Sequence, residues 1–515
     1  MIEIIYEGDE YCRLKSETLE GISPIIKAFS VDDPSVFFAE QHGYKPANTK
    51  LSVISAVGLF RLGIFPRIYQ LCKDLYGKDN IRVDPELVKH LLPLKRFDIN
   101  YTNPIIIPAF KLSEEMEERD YQIHSVRQML KYGRGLLSIP TRGGKSIIAG
   151  LFIWNMICQM NTQHTLILVP SVQLVHQFHK DLIKFGYNEN QVSKFTAKGG
   201  TSDHKTIIIS NKQYLLKHRD ELPEIGCVIA DEVHEIKEGS KTFSYIESLK
   251  TPFKFGCSGS IPKITEDKPV KTHQRWCLES LFGCVVSKKT IKELQDEGYI
   301  ANLKIKHIHI IDRDIEKFPN RYKFAIDSKF HEEGDKFNTA YNDELEYFKN
   351  NAIRLYSKPI KMLPKLKGNT LVLFDRIEFG KSVFDYLNKY IDHIDSPKNA
   401  FYIDGHVDVD IREDIRVSSE DCDDNIIMAQ TRTFSTGLTI NNLHNVVFMF
   451  NSKAEATILQ SIGRSLGIHE SKVFAYLYDI SFNTKYATKQ YMERLLTYED
   501  EYHKTKPDKE IVLYI

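Results

Sequence analysis

The chain has little of what marks a secreted, membrane-bound or grossly basic protein. Of its 515 residues only eight are cysteine and two tryptophan. The cysteines form no C-x-x-C pair and no metal-like cluster with histidine. Several, such as Cys227 and Cys257, lie in apolar runs, so buried free thiols in a reducing cytoplasm are expected. No apolar run approaches the ~20 residues of a membrane helix. The start of the chain, MIEIIYEGDEYCRLK, is acidic and lacks the basic opening and apolar middle of a signal peptide. Neither sign of charge is in excess, with Lys+Arg 69 and Asp+Glu 69. That balance excludes a protein that holds nucleic acid by gross basicity, but it leaves room for a local basic channel. There is no heptad run, internal sequence repeat or low-complexity tract, and a monomer is expected.

What is present suits a globular protein: 42% hydrophobic and 27% charged residues. The length exceeds one hydrophobic core and implies about three domains. The most informative stretch is LLSIPTRGGKSIIAGLFIWNMI, Leu136 to Ile157. Leu136 to Ile139 reads as a buried parallel strand. Pro140, Thr141, Arg142, Gly143 and Gly144 form a turn. Lys145 and Ser146 then open a segment with Ile147, Ile148, Leu151, Phe152 and Trp154 at helical spacing. Strand, glycine-containing turn, Lys-Ser and helix is the context of a phosphate-binding P-loop. Backbone N–H groups and the helix dipole face the anion there. Lys145 reaches terminal phosphates in such a loop, and Ser146 holds a magnesium ion. The pattern departs from the usual one, with Ile139 where a glycine normally begins it and Arg142 where another glycine is common. Alone, GGKS is also an ordinary turn before a helix.

Residues 1–110 read as a small accessory α+β domain. Short strands are expected at Glu3 to Tyr6 and Cys12 to Lys15. A helix is expected from Pro66 to Tyr76, with Ile68, Leu71 and Leu75 on one face. Residues 111–300 alternate helical stretches with strand-like runs at Thr165 to Val169, Thr206 to Ile209, Cys227 to Ala230 and Lys254 to Cys257. This argues a parallel sheet whose ligands bind beyond the carboxyl ends of the strands. The run Cys227 to Ala230 leads directly into Asp231, Glu232, Val233 and His234. An Asp there can hold the same magnesium, and a Glu can orient or deprotonate the attacking water. Residues 301–480 repeat the α/β pattern without a P-loop, with strands at Leu371 to Phe374, Phe401 to Ile403, Ile426 to Ala429, Val446 to Phe450 and Val473 to Leu477. Two such cores suggest a cleft in which the second supplies a cation to the transferring phosphoryl group, and Arg464 is the candidate. Residues 481–515 are expected to be a helical extension.

In chain order these segments resemble a superfamily 2 helicase over nearly everything after residue 110. RDYQ (Arg119 to Gln122) is similar to the motif that contacts adenine, and PTRGGKS to motif I. LILVPSVQLVHQ and IIISNKQYLL look like the next nucleic-acid motifs. DEVH is motif II of the DExH kind, and SGS (Ser258 to Ser260) is motif III. FSTGLTIN (Phe434 to Asn441) and QSIGRSLG (Gln460 to Gly467) look like motifs V and VI. The PT-x-x-GKS loop, the SGS, YIDGHVDVDIRE and FSTGLTINNLHNVV are similar to the UvsW-type bacteriophage helicases that remodel branched DNA.

The resemblance implies an α/β fold of two RecA-like parallel-sheet domains in tandem, with a small N-terminal α+β domain and a C-terminal helical extension. It implies ATP and Mg2+ as cofactors, with Arg119, Gln122, the loop from Pro140 to Ser146 and Gly437 binding nucleotide. Asp231 would bind magnesium, Glu232 would prime water, and Gln460 and Arg464 would complete the catalytic set with Lys145. His234, Ser258 and Ser260 would couple the ATP site to the DNA track. Ser171, Gln173, Ser210, Gln213, Arg376 and Thr436 would lie along the strand's backbone, where contacts carry no sequence information. Gly467 stands where the family's motif VI usually has a second Arg. The implied activity is ATP-driven remodelling of branched or forked DNA in phage recombination, replication and repair, in the host cytoplasm. An RNA helicase, or a nucleic-acid-binding module latched by ATP, remains an alternative.

Overall fold

Alternating apolar and polar residues at the start of the chain pair as an antiparallel hairpin, β1 (Ile2–Gly8) with β2 (Tyr11–Ser16). A second hairpin joins β3 (Ser30–Asp32) to β4 (Lys50–Ser52). β5 (Leu59–Arg61) and β6 (Ile81–Val83) complete a mixed four-stranded sheet of order β5-β2-β1-β6. The helix Phe65–Tyr76 starts with a proline in its first turn and stops at Gly77, whose φ is 77°, as helix punctuation predicts. It buries Ile68 and Cys72, whereas Leu75, expected on the same face, is exposed. This is a computed structural model, and it describes every residue except 42, 47, 92–98, 106–118, 161–163, 198–204, 314–334, 432, 434–439, 450–454 and 471.

Seven runs between residues 134 and 288 form an all-parallel sheet: β7 (Arg134–Ser138), β8 (His164–Val169), β9 (Val192–Phe195), β10 (Ile207–Asn211), β11 (Ile225–Asp231), β12 (Phe253–Ser258) and β13 (Val285–Lys288). Their order is β13-β7-β12-β11-β8-β10-β9. Period-2 alternation splits each run between two faces. Leu136, Leu166, Leu168, Ile208 and Val228 pack on one side, in one cluster with Ile2, Ile4, Phe60 and Ile68. Leu137, Ile167, Ile209, Ile229 and Phe255 pack on the other. The N-terminal sheet therefore has no core of its own and shares one with the first parallel sheet. Met1–Ile139 and Gly143–Lys289 accordingly form a single compact unit.

The docking is polar as well as apolar. Glu10 takes Arg134 Nη2 at 2.9 Å and Lys254 Nζ at 3.0 Å. Arg61 pairs with Glu247 and Arg67 with Glu279. At Gly63 a Cβ would stand 2.3 Å from the carbonyl of Glu279, so only glycine lets these backbones meet. Burial pushes the ammonium of Lys254 down to about 8, against the attraction of Glu10. Glu10→Gln removes the carboxylate that pairs directly with Lys254 and Arg134 and is expected to cost about 3 kcal/mol at pH 7. In that variant the folded-state pKa of Lys254 falls further below its unfolded value. The unfolded chain then binds more protons, and the variant regains stability as pH rises from 7 to 9. Denaturant melts of both proteins at the two pH values test this, and equal midpoints at pH 7 would refute it.

A second all-parallel sheet has the order β16-β17-β15-β18-β19-β14-β20. Its strands are β14 (Asn302–Ile311), β15 (Thr370–Phe374), β16 (Asn399–Ile403), β17 (Asn425–Gln430), β18 (Asn445–Phe448), β19 (Phe474–Phe482) and β20 (Lys509–Tyr514). It belongs to a unit made of Thr290–Ile515 and the short piece Pro140–Arg142. The expected helical extension is present as one helix, Lys485–Tyr502. The chain then returns as edge strand β20 beside β14, so this extension is part of the second sheet domain. Among the described residues, no helix is long and apolar enough to cross a membrane.

Candidate functional site

The informative residues of the first sheet follow its strands. After β7 the chain turns through Arg142 at φ 65° and Gly144 at φ 73° into the helix Lys145–Met160. A Cβ on Gly144 would meet Gln122 Nε2 at 2.3 Å, so the glycine serves both the turn and the close approach of that amide. Gln122 is buried. It closes a capping box with Arg119 at the start of the helix Asp120–Tyr132, its Oε1 accepting from the Arg119 N–H at 3.1 Å. The neighbouring Tyr121 donates its hydroxyl to the Gly143 carbonyl at 2.6 Å. The RDYQ segment thus braces the loop directly.

Lys145 Nζ lies 2.9 Å from Glu232 Oε1 and 3.5 Å from Asp231 Oδ1. Asp231 ends β11. Glu232 follows in the left-handed region, φ 49°, a strained backbone of the kind that gathers at functional sites. Burial works against the charge of Lys145, but Asp231 and Glu232 outweigh it and hold the ammonium protonated. Burial also pushes the Glu232 carboxyl up, yet Lys145 and His234 beside it hold it far below the usual carboxylate range. For Asp231 burial prevails and the shift is upward. Its buried Oδ1 has the Lys145 ammonium at 3.5 Å and no closer hydrogen-bond donor. A buried acceptor of that kind, beside a second carboxylate, fits a divalent cation, which would favour the ionised form.

A relay of polar contacts leads away from Glu232. Ser258 Oγ, at the end of β12, lies 2.9 Å from His234 Nδ1 and 3.3 Å from Glu232 Oε2. Ser260 donates its N–H to Ser258 Oγ at 3.1 Å. His234 accepts from Gln274 Nε2 at its carbonyl, 2.7 Å. His234 and Ser258 therefore reach the Glu232 carboxylate, and Ser260 joins them through Ser258.

The other expected residues are placed less uniformly. Ser171 caps the helix Val172–Lys184, accepting from Leu174 N–H. Gln173 lies in that helix's first turn and Gln213 is exposed on the helix Lys212–His218. Ser210, also expected in the backbone-contact set, is placed inside the sheet. Its side chain is fully buried and donates to the Phe195 carbonyl at 2.8 Å, because position 210 of β10 points into the sheet's packing. In the second sheet domain Arg376 is exposed, at the start of the helix Ile377–His393. Gln460 and Arg464 are one turn apart on the helix Glu455–Ser465. Thr436 and Gly437 lie outside the described residues. One neighbour was not anticipated: Asp181, whose carboxyl burial pushes up to about 6 against the hydroxyl of Ser146. Nothing in its spacing singles it out.

Comparison with known proteins gives a family match, type III restriction enzyme, res subunit, over residues 115–263. The chain is 26% identical over 497 residues to the ATP-dependent DNA helicase UvsW of Enterobacteria phage T4, covering 92% of each chain. It is 27% identical over 207 residues to the DNA 3'-5' translocase XPB2 of Sulfurisphaera tokodaii, covering 40% of this chain and 43% of that one. Among solved structures, the DNA-bound Type ISP restriction-modification enzyme LlaBIII aligns with a TM-score of 0.55 at 14% identity, over 87% of this chain and 34% of that one. The last likeness concerns the fold alone. The likeness to the phage enzyme spans nearly the whole of both chains; taken with a P-loop lysine set against the DEVH carboxylates, it makes this chain similar to superfamily 2 helicases of the DExH kind and, among them, to the UvsW-type bacteriophage enzymes.

Proposed function

We propose that the protein is an ATP-dependent DNA helicase that remodels branched DNA by fork regression, branch migration or unwinding of R-loops and D-loops, in the host cytoplasm of a phage. The observation that carries the reading is the convergence of Lys145 on Asp231 and Glu232. Lys145 and the loop N–H groups would bind the terminal phosphates of ATP. Ser146 and Asp231 would hold Mg2+, which supplies charge neutralisation to the leaving phosphates. Glu232, kept ionised, orients and deprotonates the attacking water. Gln122, with Arg119 beside it, is the proposed adenine contact, and Gln460 and Arg464 are the proposed further members of the catalytic set. His234, Ser258 and Ser260 link the hydrolytic carboxylate to the nucleic-acid track. Ser171, Gln173, Gln213, Arg376 and Thr436 are the proposed contacts along that track.

ATP hydrolysis measured without nucleic acid, and with single-stranded, duplex and forked DNA and single-stranded RNA, tests the reading. Rates highest with forked DNA are expected. A preference for RNA would make the protein an RNA helicase, and no turnover with any of them would reject the motor.

A further inference from the structure

His273 and Cys277 lie four residues apart on the helix Pro269–Phe282 and are both buried. They face Glu238, in the loop that follows the DEVH turn. Cys277 Sγ is 3.4 Å from Glu238 Oε2. His273 Nε2 is 3.6 Å from the same oxygen and 3.7 Å from the sulfur. This is the one such grouping of three His, Cys, Asp or Glu donors among the described residues. In a tetrahedral zinc site, bonds of about 2.3 Å to sulfur and about 2.0–2.1 Å to nitrogen or oxygen set the ligand atoms ~3.3–3.6 Å apart. The observed triangle matches those edges to within a few tenths of an ångström.

We propose that Glu238, His273 and Cys277 form a binding site for a zinc-like divalent cation, distinct from the magnesium site at Ser146 and Asp231. Thiolate, imidazole and carboxylate together suit zinc and disfavour magnesium. On binding, the Cys277 S–H gives its proton to solvent as the sulfur–metal bond forms. The surroundings have the form of an outer shell, the groups that orient metal ligands. Arg61 Nη1 lies 3.5 Å from Glu238 Oε1, the oxygen turned from the site. Asp33, from the N-terminal domain, faces the His273 ring electrostatically. Glu238 is half-exposed, which leaves an entry path and a fourth position for water. The helix carrying His273 and Cys277 also carries Gln274, which holds the His234 carbonyl. The cation would therefore fasten the segment after motif II, the helix after motif III and the N-terminal domain at one point. Motif spacing does not reveal such a site, since it joins an H-x-x-x-C pair to a carboxylate far upstream.

Cobalt(II) titration of the chelator-treated full chain, without nucleotide, tests the proposal independently of any ATP hydrolysis. The expected result is a sulfur-to-cobalt charge-transfer band that saturates near one equivalent and is displaced by Zn2+. Cys277→Ser should remove the band, and Glu238→Gln should weaken cobalt binding at least about 10-fold. Replacing the exposed thiols of Cys158 and Cys422 should leave it unchanged. Because Glu238 is at the surface, its variant carries the test if Cys277→Ser fails to fold. Absence of the band in the parent chain, or a band indifferent to Glu238→Gln, would overturn the proposal and leave the trio as a hydrogen-bonded cluster.

Discussion

Lys145→Ala is expected to lower ATP hydrolysis by at least about 100-fold, the scale of losing one charge-stabilising group from a transition state. The lysine is the cation nearest both strand-end carboxylates, 2.9 Å from Glu232 and 3.5 Å from Asp231. Arginine is not a conservative replacement, because its planar fork differs from a compact ammonium. The variant should still bind forked DNA, since the proposed track residues lie on other elements. It should also change the pH dependence of stability. With Lys145 present, Glu232 has a depressed folded pKa, so its contribution is present above the unfolded value and is lost as pH falls. Without the lysine, burial dominates and raises that pKa. The folded variant then binds more protons than the unfolded chain, and its stability relative to the parent declines as pH rises from 5 to 8. Steady-state ATPase assays and melts at several pH values measure both effects. Hydrolysis at the parent rate would dismiss the P-loop assignment.

The second large effect is on stability. Arg494, on the helix Lys485–Tyr502, has no solvent exposure and bonds Asp479 of β19 through Nε at 3.0 Å and Nη2 at 2.8 Å. Tyr498, one turn on, donates to the same carboxylate at 2.7 Å. Arg494→Met leaves Asp479 buried without its cation and is expected to cost about 3–5 kcal/mol. Replacing both partners, Asp479→Leu with Arg494→Met, removes both charges and should recover much of that loss. The cycle separates the pair from simple packing. Denaturant unfolding followed by circular dichroism gives the three differences. A single variant within about 1 kcal/mol of the parent would show that the charges are not coupled as placed.

The readable elements were those whose signal is short-range. β8, β11, β15 and β17 are built on apolar runs and β12 on a buried run whose one charged residue is Lys254, and the observed strands fall within two residues of the expected ones. β14 carries no such run, because Lys and His alternate with Ile along NLKIKHIHII, and β20, KEIVLY, has an apolar end of only four residues whose Val512 and Tyr514 stay exposed. Neither was expected from sequence, and the second is a strand only because β14 offers it an edge. Ser210 shows the same limit at the level of one side chain. A motif names the position, but the side chain is fully buried in β10 and donates to the Phe195 carbonyl.

By itself the sequence determined the strand–loop–helix of the phosphate site, the carboxylates after β11, the serines after β12 and the tandem of two parallel sheets. Each depends on residues within one or two elements, where backbone geometry and apolar period act directly. Tertiary structure alone decided that the N-terminal sheet shares a core with the first parallel sheet, that Glu10 meets Lys254, that Asp181 stands beside Ser146, and that Glu238 closes on His273 and Cys277. Those partners are brought together by packing, and no local pattern encodes a contact between elements so far apart along the chain.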